Sequence, residues 1–209
     1  FIAVAAAGAA AWIQDRDPRR YDVACIVPNI VFIHAWGVCH SQTWNFVSWA
    51  ISAEMGMYIA LPLIFLLTAR GPWATLAVAL LSIAVMLRMP HGDRPFHQWT
   101  WDYGVLRAVP GFLIGMAAFQ LRDRLARIPR PNLLMWLLLA AYLVASWAGT
   151  PRTALLFVVY GVGLLGVAAD ARGTQGGLSR RLAPWAQLSF SLYLLHPIVM
   201  VLVHPYAQG

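Results

Sequence analysis

The stretch that decides the fold is WNFVSWAISAEMGMYIALPLIF, residues 44–65. It is apolar and long enough to cross a bilayer, which takes about 20 helical residues. It also contains Glu54, the only glutamate of the chain. An ionised carboxylate inside a membrane helix is costly unless it is paired or protonated, so such acids usually mark functional sites. The stretch therefore predicts a membrane helix built around a functional acid; a buried ion pair that orients helices is the alternative.

The composition indicates a membrane protein. Hydrophobic residues make up 60% of the 209 residues and charged residues only 11%, whereas soluble domains are about half apolar and a quarter charged. The net charge of +7 comes from 15 arginines, with no lysine. These arginines cluster in short loops between apolar runs, which is typical of orientation signals and not of nucleic-acid binding.

We expect an all-α, polytopic transmembrane helix bundle of about seven to eight hydrophobic segments. The chain begins without Met and inside an apolar run, so we interpret it as an N-terminally truncated, single membrane-embedded domain over residues 1–209. The predicted segments are about 1–13, 23–38, 49–69, 73–89, 105–121, 133–149, 153–169 and 183–204. Segments of 16–17 residues are short for a span and could be tilted differently or partly re-entrant.

The arginines predict the orientation of the bundle. Eleven of the 15 lie in alternate loops, at about 14–22, 69–72, 122–131 and 170–181. By the positive-inside rule these four loops face the cytoplasm. The intervening loops, including the longest at 90–104, then face outward.

The two cysteines are expected to stay apart. Cys25 and Cys39 fall at opposite ends of the predicted helix over 23–38, too far apart for a disulfide. On that interpretation cysteine usage says nothing about the redox compartment.

Two other signals are rejected. Gly161, Gly163 and Gly166 match GxGxxG, but they lie in an apolar helix without the preceding strand that a dinucleotide site requires. Close helix packing explains them better. The cysteines and histidines lack the spacing of a tetrahedral metal site, so no metal is expected.

Several polar residues near Glu54 are candidates for the site. Tyr58 lies one helical turn later on the same face, where its hydroxyl could bond the carboxylate. Ser48 and Ser52 form another pair at this spacing.

Arg107 opens the segment 105–121 and is followed by a GxxxG pair, Gly111 and Gly115, which lets another helix approach closely. A Glu54–Arg107 ion pair is therefore a candidate. The alternative is that Arg107 extends to the membrane interface.

Two histidines lie inside apolar segments. His34 could act in catalysis or be a hydrogen-bonded core residue. His196 precedes Pro197, which removes the hydrogen bond to the carbonyl of Tyr193 and kinks the helix. It could belong to the site or simply satisfy that carbonyl.

The stretch 49–62 resembles the signature of the acyltransferase 3 family, integral-membrane O-acyltransferases of bacterial surface glycans. That signature is roughly Trp-Ser-[Ile/Leu]-Ser-[Val/Ala]-Glu-x-x-x-Tyr-x-x-x-Pro. The matching residues are Trp49, Ile51, Ser52, Ala53, Glu54, Tyr58 and Pro62; Ala50 replaces the usual serine. Three weaker blocks also resemble the family: His34-Ala35-Trp36, residues 107–116 and residues 189–196.

The resemblance implies transfer of an acyl group, commonly acetyl from acetyl-CoA, to a hydroxyl of a glycan at the bacterial inner membrane, with no tightly bound cofactor. The family's proposed catalytic histidine and an Arg-rich motif belong to helices N-terminal to the part seen here. Our hypothesis is that this histidine is the base and that Glu54 orients it or shares its proton. Arg107, Tyr58 and Ser52 would hold the acid or the acceptor.

CoA phosphates would meet arginines at the cytoplasmic end. The candidates are Arg70 and the group from Arg122 to Arg130, of which Arg122 and Arg124 come first. A different function stays open: a transporter or flippase for a lipid-linked glycan has similar helices and a buried acid.

Overall fold

The computed structural model describes residues 22–44, 46–89, 94–174 and parts of 181–196. Helices and short turns make up the secondary structure of these ranges, and no β-strand occurs in them. The all-α prediction is therefore confirmed for the described part of the chain. The predicted segment 1–13 and the end of the segment 183–204 lie outside the described residues.

Eight α-helices lie between Ile26 and Ala171, and the described positions from 181 to 196 are helical as well. The eight are α1 Ile26–Ile30, α2 Trp49–Ile59, α3 Leu61–Thr68, α4 Pro72–Arg88, α5 Gly104–Gln120, α6 Arg122–Leu125, α7 Pro131–Trp147 and α8 Arg152–Ala171. Short 3₁₀ turns occur at Val23–Cys25, Phe46–Ser48 and Phe96–Gln98, and a π turn at His34–Val38. Helices α4, α5, α7 and α8 match four predicted segments to within two residues at each end.

The single helix predicted over 23–38 is wrong. The backbone leaves the helical region at Phe32, where φ is 58°, and again within the π turn, where Gly37 has φ 78°. The chain therefore folds back on itself between α1 and the π turn.

This fold-back brings the two cysteines together. Cys25 and Cys39 form a disulfide, with their Cα atoms 5.9 Å apart. The prediction that they could not pair was wrong, because it assumed a continuous helix between them. Structural disulfides form in oxidising compartments.

The segment predicted at 49–69 is two helices. Helices α2 and α3 meet at Ala60 and are bent by 59°. Pro62 lies in the first turn of α3. Its backbone nitrogen has no hydrogen to donate, and its ring clashes with the carbonyl four residues earlier in a continuous helix. The bend thus follows from the proline of the signature stretch.

The number of membrane spans is not confirmed. Within the described residues, only α8 is long and apolar enough by itself, with 20 residues and a mean hydropathy of 2.0. The bent pair α2–α3 passes the same criterion together. Helices α4, α5 and α7 have 17 residues each, or about 26 Å at 1.5 Å per residue.

The chain divides into two compact units. The first contains the described residues up to Ile59, the stretch Trp99–Leu106 and the described part of 183–196. The second contains Ala60–Gln98 and Arg107 onward to the end of α8. Its core joins α3, α4 and α5 through Ile64, Ala79 and Leu113, and α7 packs along α8.

Contacts inside the second unit join the ends of its helices in two groups. The amide of Gln120 donates to the carbonyl of Thr68 at 2.8 Å, which joins the ends of α5 and α3. The guanidinium of Arg172 donates to the carbonyl of Ile128, so the end of α8 meets the loop before α7. At the opposite end of these helices, the 3₁₀ turn before α5 contacts the start of α8.

We expect single cysteines introduced at Gln98 and Ala126 to report opposite sides of the membrane. In intact cells an impermeant maleimide should label Gln98→Cys, and it should label Ala126→Cys only after lysis. The native cysteines are in a disulfide and provide the unlabelled background. Labelling of Ala126→Cys but not Gln98→Cys in intact cells would reverse the orientation.

Candidate active site

Buried polar side chains concentrate in the first unit. The second unit holds two among its described residues, Thr68 and Thr75, and both hydroxyls donate to carbonyls three or four residues earlier. The first unit holds the other six: Asn29, His34, Thr43, Ser48, Ser52 and Asp102. Because a buried polar group is costly unless it is satisfied or used, this cluster is the candidate site.

Ser52 joins α2 to the π turn. It is completely buried, and its hydroxyl accepts the N–H of Ala35 at 3.0 Å. The Ser52 carbonyl also accepts the indole N–H of Trp36 at 2.9 Å. These bonds hold the His34-Ala35-Trp36 block against the signature helix. The predicted role of Ser52, to hold the acid or the acceptor, stays a prediction; the structure shows a positioning role.

Ser48 and His34 form a second link between the same elements. The Ser48 hydroxyl lies 3.0 Å from Nε2 of His34. His34 is 4% exposed and Ser48 6%, so this hydrogen bond is shielded from water. The sequence indicated both residues but not their pairing, because they are 14 positions apart across turns and irregular backbone.

The start of α5 closes over this region. A Cβ added at Gly104 would lie 3.3 Å from the Cβ of Ala35 and 3.3 Å from the ring of Trp49. The N–H of Gly37 donates to the carbonyl of Trp101 at 3.2 Å. The buried Asp102 carboxylate accepts the N–H groups of neighbouring residues just before α5. The His34-Ala35-Trp36 block and the signature helix α2 thus meet in one unit, beneath the start of α5.

Glu54 and Tyr58 lie on the more exposed side of α2. Its buried side is formed by Ser52, Ala53, Gly56 and Met57. Glu54 is half-buried and Tyr58 is 53% exposed. Glu54 belongs to the first unit and Arg107 to the second, so their ion pair stays a prediction.

Arg107 shares the second unit with His97. Nδ1 of His97 lies 2.9 Å from the hydroxyl of Thr153. Burial lowers the pKa of His97, and the positive charges of Arg107 and Arg152 lower it further. This histidine was not among the predicted site residues, and its placement beside two arginines depends on tertiary contacts.

The predicted close helix approach at Gly111 and Gly115 is not observed. A Cβ at Gly111 would make only an ordinary contact with the ring of Tyr160, at 3.9 Å, and Gly115 faces nothing within 4 Å. Gly161 of the rejected nucleotide motif is a close-packing residue, since a Cβ there would lie 2.9 Å from Leu138. All three glycines of that motif lie inside α8.

His196 satisfies a backbone group. Its Nδ1 lies 2.6 Å from the carbonyl of Tyr193, the carbonyl that Pro197 was predicted to release. The two rings are 5.7 Å apart. The structural alternative for His196 is therefore observed, and a role in catalysis stays a prediction.

The predicted CoA-binding arginines lie at one end of the second unit. Arg70, Arg122 and Arg124 are all exposed. Arg124 stacks over Trp73 at the start of α4, with 5.8 Å between guanidinium and ring centre. Arg122 lies 3.8 Å from Asp123 in a solvent-exposed ion pair. Among the described side chains no group of three or more histidine, cysteine, aspartate or glutamate residues could hold a metal.

The close packing at Gly104 gives a stability prediction. Gly104→Val should destabilise the protein by roughly 1–3 kcal/mol, because the added side chain overpacks the contact with Ala35 and Trp49. Gly115→Val, in the same helix with open space around it, is the matched control and should cost less. Thermal unfolding in detergent measures both; equal losses would show that the contact at Gly104 is not tight.

Comparison with known proteins gives one match. A protein-family model described as an acyltransferase domain matches residues 22–208. The match includes both units and every helix described above. No curated protein and no solved structure matches the chain.

Proposed function

Because the chain belongs to the acyltransferase 3 family, and is therefore an acyltransferase, we propose that it transfers an acetyl or other acyl group from acyl-CoA to a hydroxyl of a cell-surface glycan. The observation that carries this proposal is the buried polar cluster of the first unit. It lies where two of the blocks that resemble the family meet in space.

The chemistry of O-acyl transfer sets what such a site must supply. A base must take the proton of the acceptor hydroxyl, and hydrogen-bond donors must stabilise the oxyanion of the tetrahedral intermediate. Glu54 is the ionisable group of the signature helix and can orient the base or share its proton. Tyr58, Ser52 and Arg107 are the proposed holders of that acid or of the acceptor.

The donor is proposed to bind at the arginine-rich end of the second unit. Arg70, Arg122 and Arg124 are exposed there, so their guanidinium groups are available to phosphate oxygens, which arginine binds in a bidentate manner. Because exposed charges are screened by salt, weaker donor binding at high ionic strength is expected of this site.

We place the protein in the bacterial inner membrane as a multi-pass protein. Members of the family are generally membrane proteins, and α8 has the length and hydropathy of a span. A membrane location lets one protein meet a cytoplasmic acyl donor and an external acceptor.

The proposal is tested by the chemistry of the surface glycan. Cells that make the complete protein should carry base-labile acyl esters on a surface glycan, and cells without its gene should lack them. NMR of the purified glycan measures the ester directly. An unchanged ester content with a changed amount of exported glycan would support the transporter or flippase instead.

A further inference from the structure

Two arginines outside the arginine-rich loops come together in the second unit. Eleven of the 15 arginines lie in the four loops predicted to face the cytoplasm, and the others are Arg88, Arg94, Arg107 and Arg152. The positive charges of Arg107 and Arg152 both act on the ring of His97. Because distant charges are screened by water and salt, both guanidinium groups lie near this imidazole. Since the positive-inside rule disfavours arginine on the outer side, this arginine pair, Arg107 and Arg152, calls for a reason.

The two helices that carry the arginine pair begin at the same end of the unit. One turn after Arg107 in α5, a Cβ at Gly111 would contact the ring of Tyr160 in α8 at 3.9 Å. Because a helix rises 1.5 Å per residue, Arg107 lies about 6 Å and Arg152 about 12 Å from this contact, each toward the start of its helix. The opposite end of α5 leads into the proposed CoA-binding arginines.

The arginine pair is accessible to a ligand. Arg152 is exposed, and Arg107 and His97 are half-buried. Among the described residues, no acid forms an ion pair with Arg152. Nδ1 of His97 lies 2.9 Å from the hydroxyl of Thr153, which ties the imidazole to the first turn of α8. Burial and the two guanidinium charges lower the pKa of His97, so the ring is mainly neutral at pH 7 and the two arginines carry the charge.

We propose that the arginine pair binds an oxyanion, a carboxylate or a phosphate, on the acceptor glycan, which is therefore an acidic glycan. This inference rests on the proposed function and on the predicted orientation, and it names the substrate class. Guanidinium groups bind carboxylate and phosphate oxygens through two parallel hydrogen bonds. Because the acyl donor is proposed to bind at the opposite end of the unit, an anion at this end belongs to the acceptor. Arg107 then has the second of its two predicted roles, holding the acceptor.

The test measures equilibrium binding, which does not depend on acyl transfer. The probe is the purified surface glycan of the cells that make the protein, cleaved to oligosaccharides and labelled at the reducing end. The complete protein in nanodiscs of zwitterionic lipid should bind this probe at low ionic strength. Arg152→Gln should weaken the binding roughly tenfold, in the range of hydrogen bonds between charged groups. Arg152→Lys, which keeps the charge but not the parallel bonds, should lose less.

A matched control separates a local site from net charge. Arg88 is an exposed arginine at the end of α4 and was not assigned to any site. Arg88→Gln changes the net charge of the protein by the same amount as Arg152→Gln. Because its charge does not act on His97, we expect binding of the probe to be unchanged.

Chemical treatment of the probe identifies the anion. Reduction of its carboxylates to alcohols, or removal of its phosphates, should weaken binding to the unmodified protein by about the factor seen for Arg152→Gln. The treatment that does so names the group. On that treated probe, Arg152→Gln should bind as well as the unmodified protein, because the interaction that it removes is already absent. A merely structural role for Arg152 would instead weaken the binding of every probe alike.

The outcomes are distinct. Equal binding of the untreated and both treated probes would overturn the proposal, as would no binding at all or a uniform loss in Arg152→Gln. Displacement of the probe by anionic phospholipid added to the nanodiscs would assign the pair to lipid head groups and would also overturn it. Charge-dependent binding without any ester formed from acetyl-CoA would refute the proposed function and leave the anion site standing, which separates the two failures.

Discussion

Glu54→Gln is expected to lower acyl transfer by the complete protein roughly tenfold to a thousandfold while the protein still inserts normally. Glutamine keeps the shape of the side chain and one acceptor oxygen, but it cannot carry charge or take a proton. Glu54 is half-buried and is not one of the fully buried residues of α2. Because the two side chains have nearly the same size, the substitution removes the charge of Glu54 and its ability to take a proton without opening a cavity. Acyl transfer per folded molecule is the quantity to measure.

A structural role for Glu54 predicts a different pattern. The membrane would then contain less of the variant protein, and the surviving molecules would turn over at close to the normal rate. Met55→Leu, a volume-conserving change at the next position of α2, is the matched control and should leave both quantities unchanged.

Removal of the disulfide is expected to have the largest effect on stability. The double change Cys25→Ser and Cys39→Ser should lower the free energy of unfolding by about 2–4 kcal/mol, as is typical when a loop is no longer closed. The cysteines are 14 residues apart in sequence and enclose the segment that carries Asn29 and His34. Activity should fall with stability, because the π turn loses one of its attachments.

Reduction of the native protein provides an independent measurement. A membrane-impermeant phosphine applied to intact cells should lower the unfolding temperature of the unmodified protein as the double change does. The double variant should not respond to the phosphine. An unmodified protein indifferent to reduction would show that the disulfide contributes little, or that it is not accessible from outside.

Much of the helical framework could be predicted from the sequence because the residues that start and stop these helices lie at the helix ends themselves. Helices α4, α7 and α8 each follow a loop with glycine, proline or arginine and then run through continuous apolar residues. Hydropathy does not report backbone dihedrals, however, and it missed the turn at Phe32. The predicted helix over 23–38 failed for that reason, and the separation of the cysteines failed with it.

The candidate site, too, could be predicted from the sequence only in part. Glu54 and Ser52 could be singled out from a polar pattern in an apolar stretch. The bonds from Ser52 to Ala35 and from Ser48 to His34 could not, since they join residues 14 to 17 positions apart across irregular backbone. The signal that could have revealed them is the run of polar residues in an otherwise apolar region, because polar groups buried together tend to satisfy one another.

We propose that this chain belongs to an enzyme that moves an acyl group from CoA to a hydroxyl. The most direct measurement reconstitutes the complete protein in liposomes with radiolabelled acetyl-CoA and purified surface glycan. We expect label in base-labile ester on the glycan, together with an equal amount of free CoA thiol. Release of neither product, while a lipid-linked glycan crosses the bilayer in the same liposomes, would contradict it.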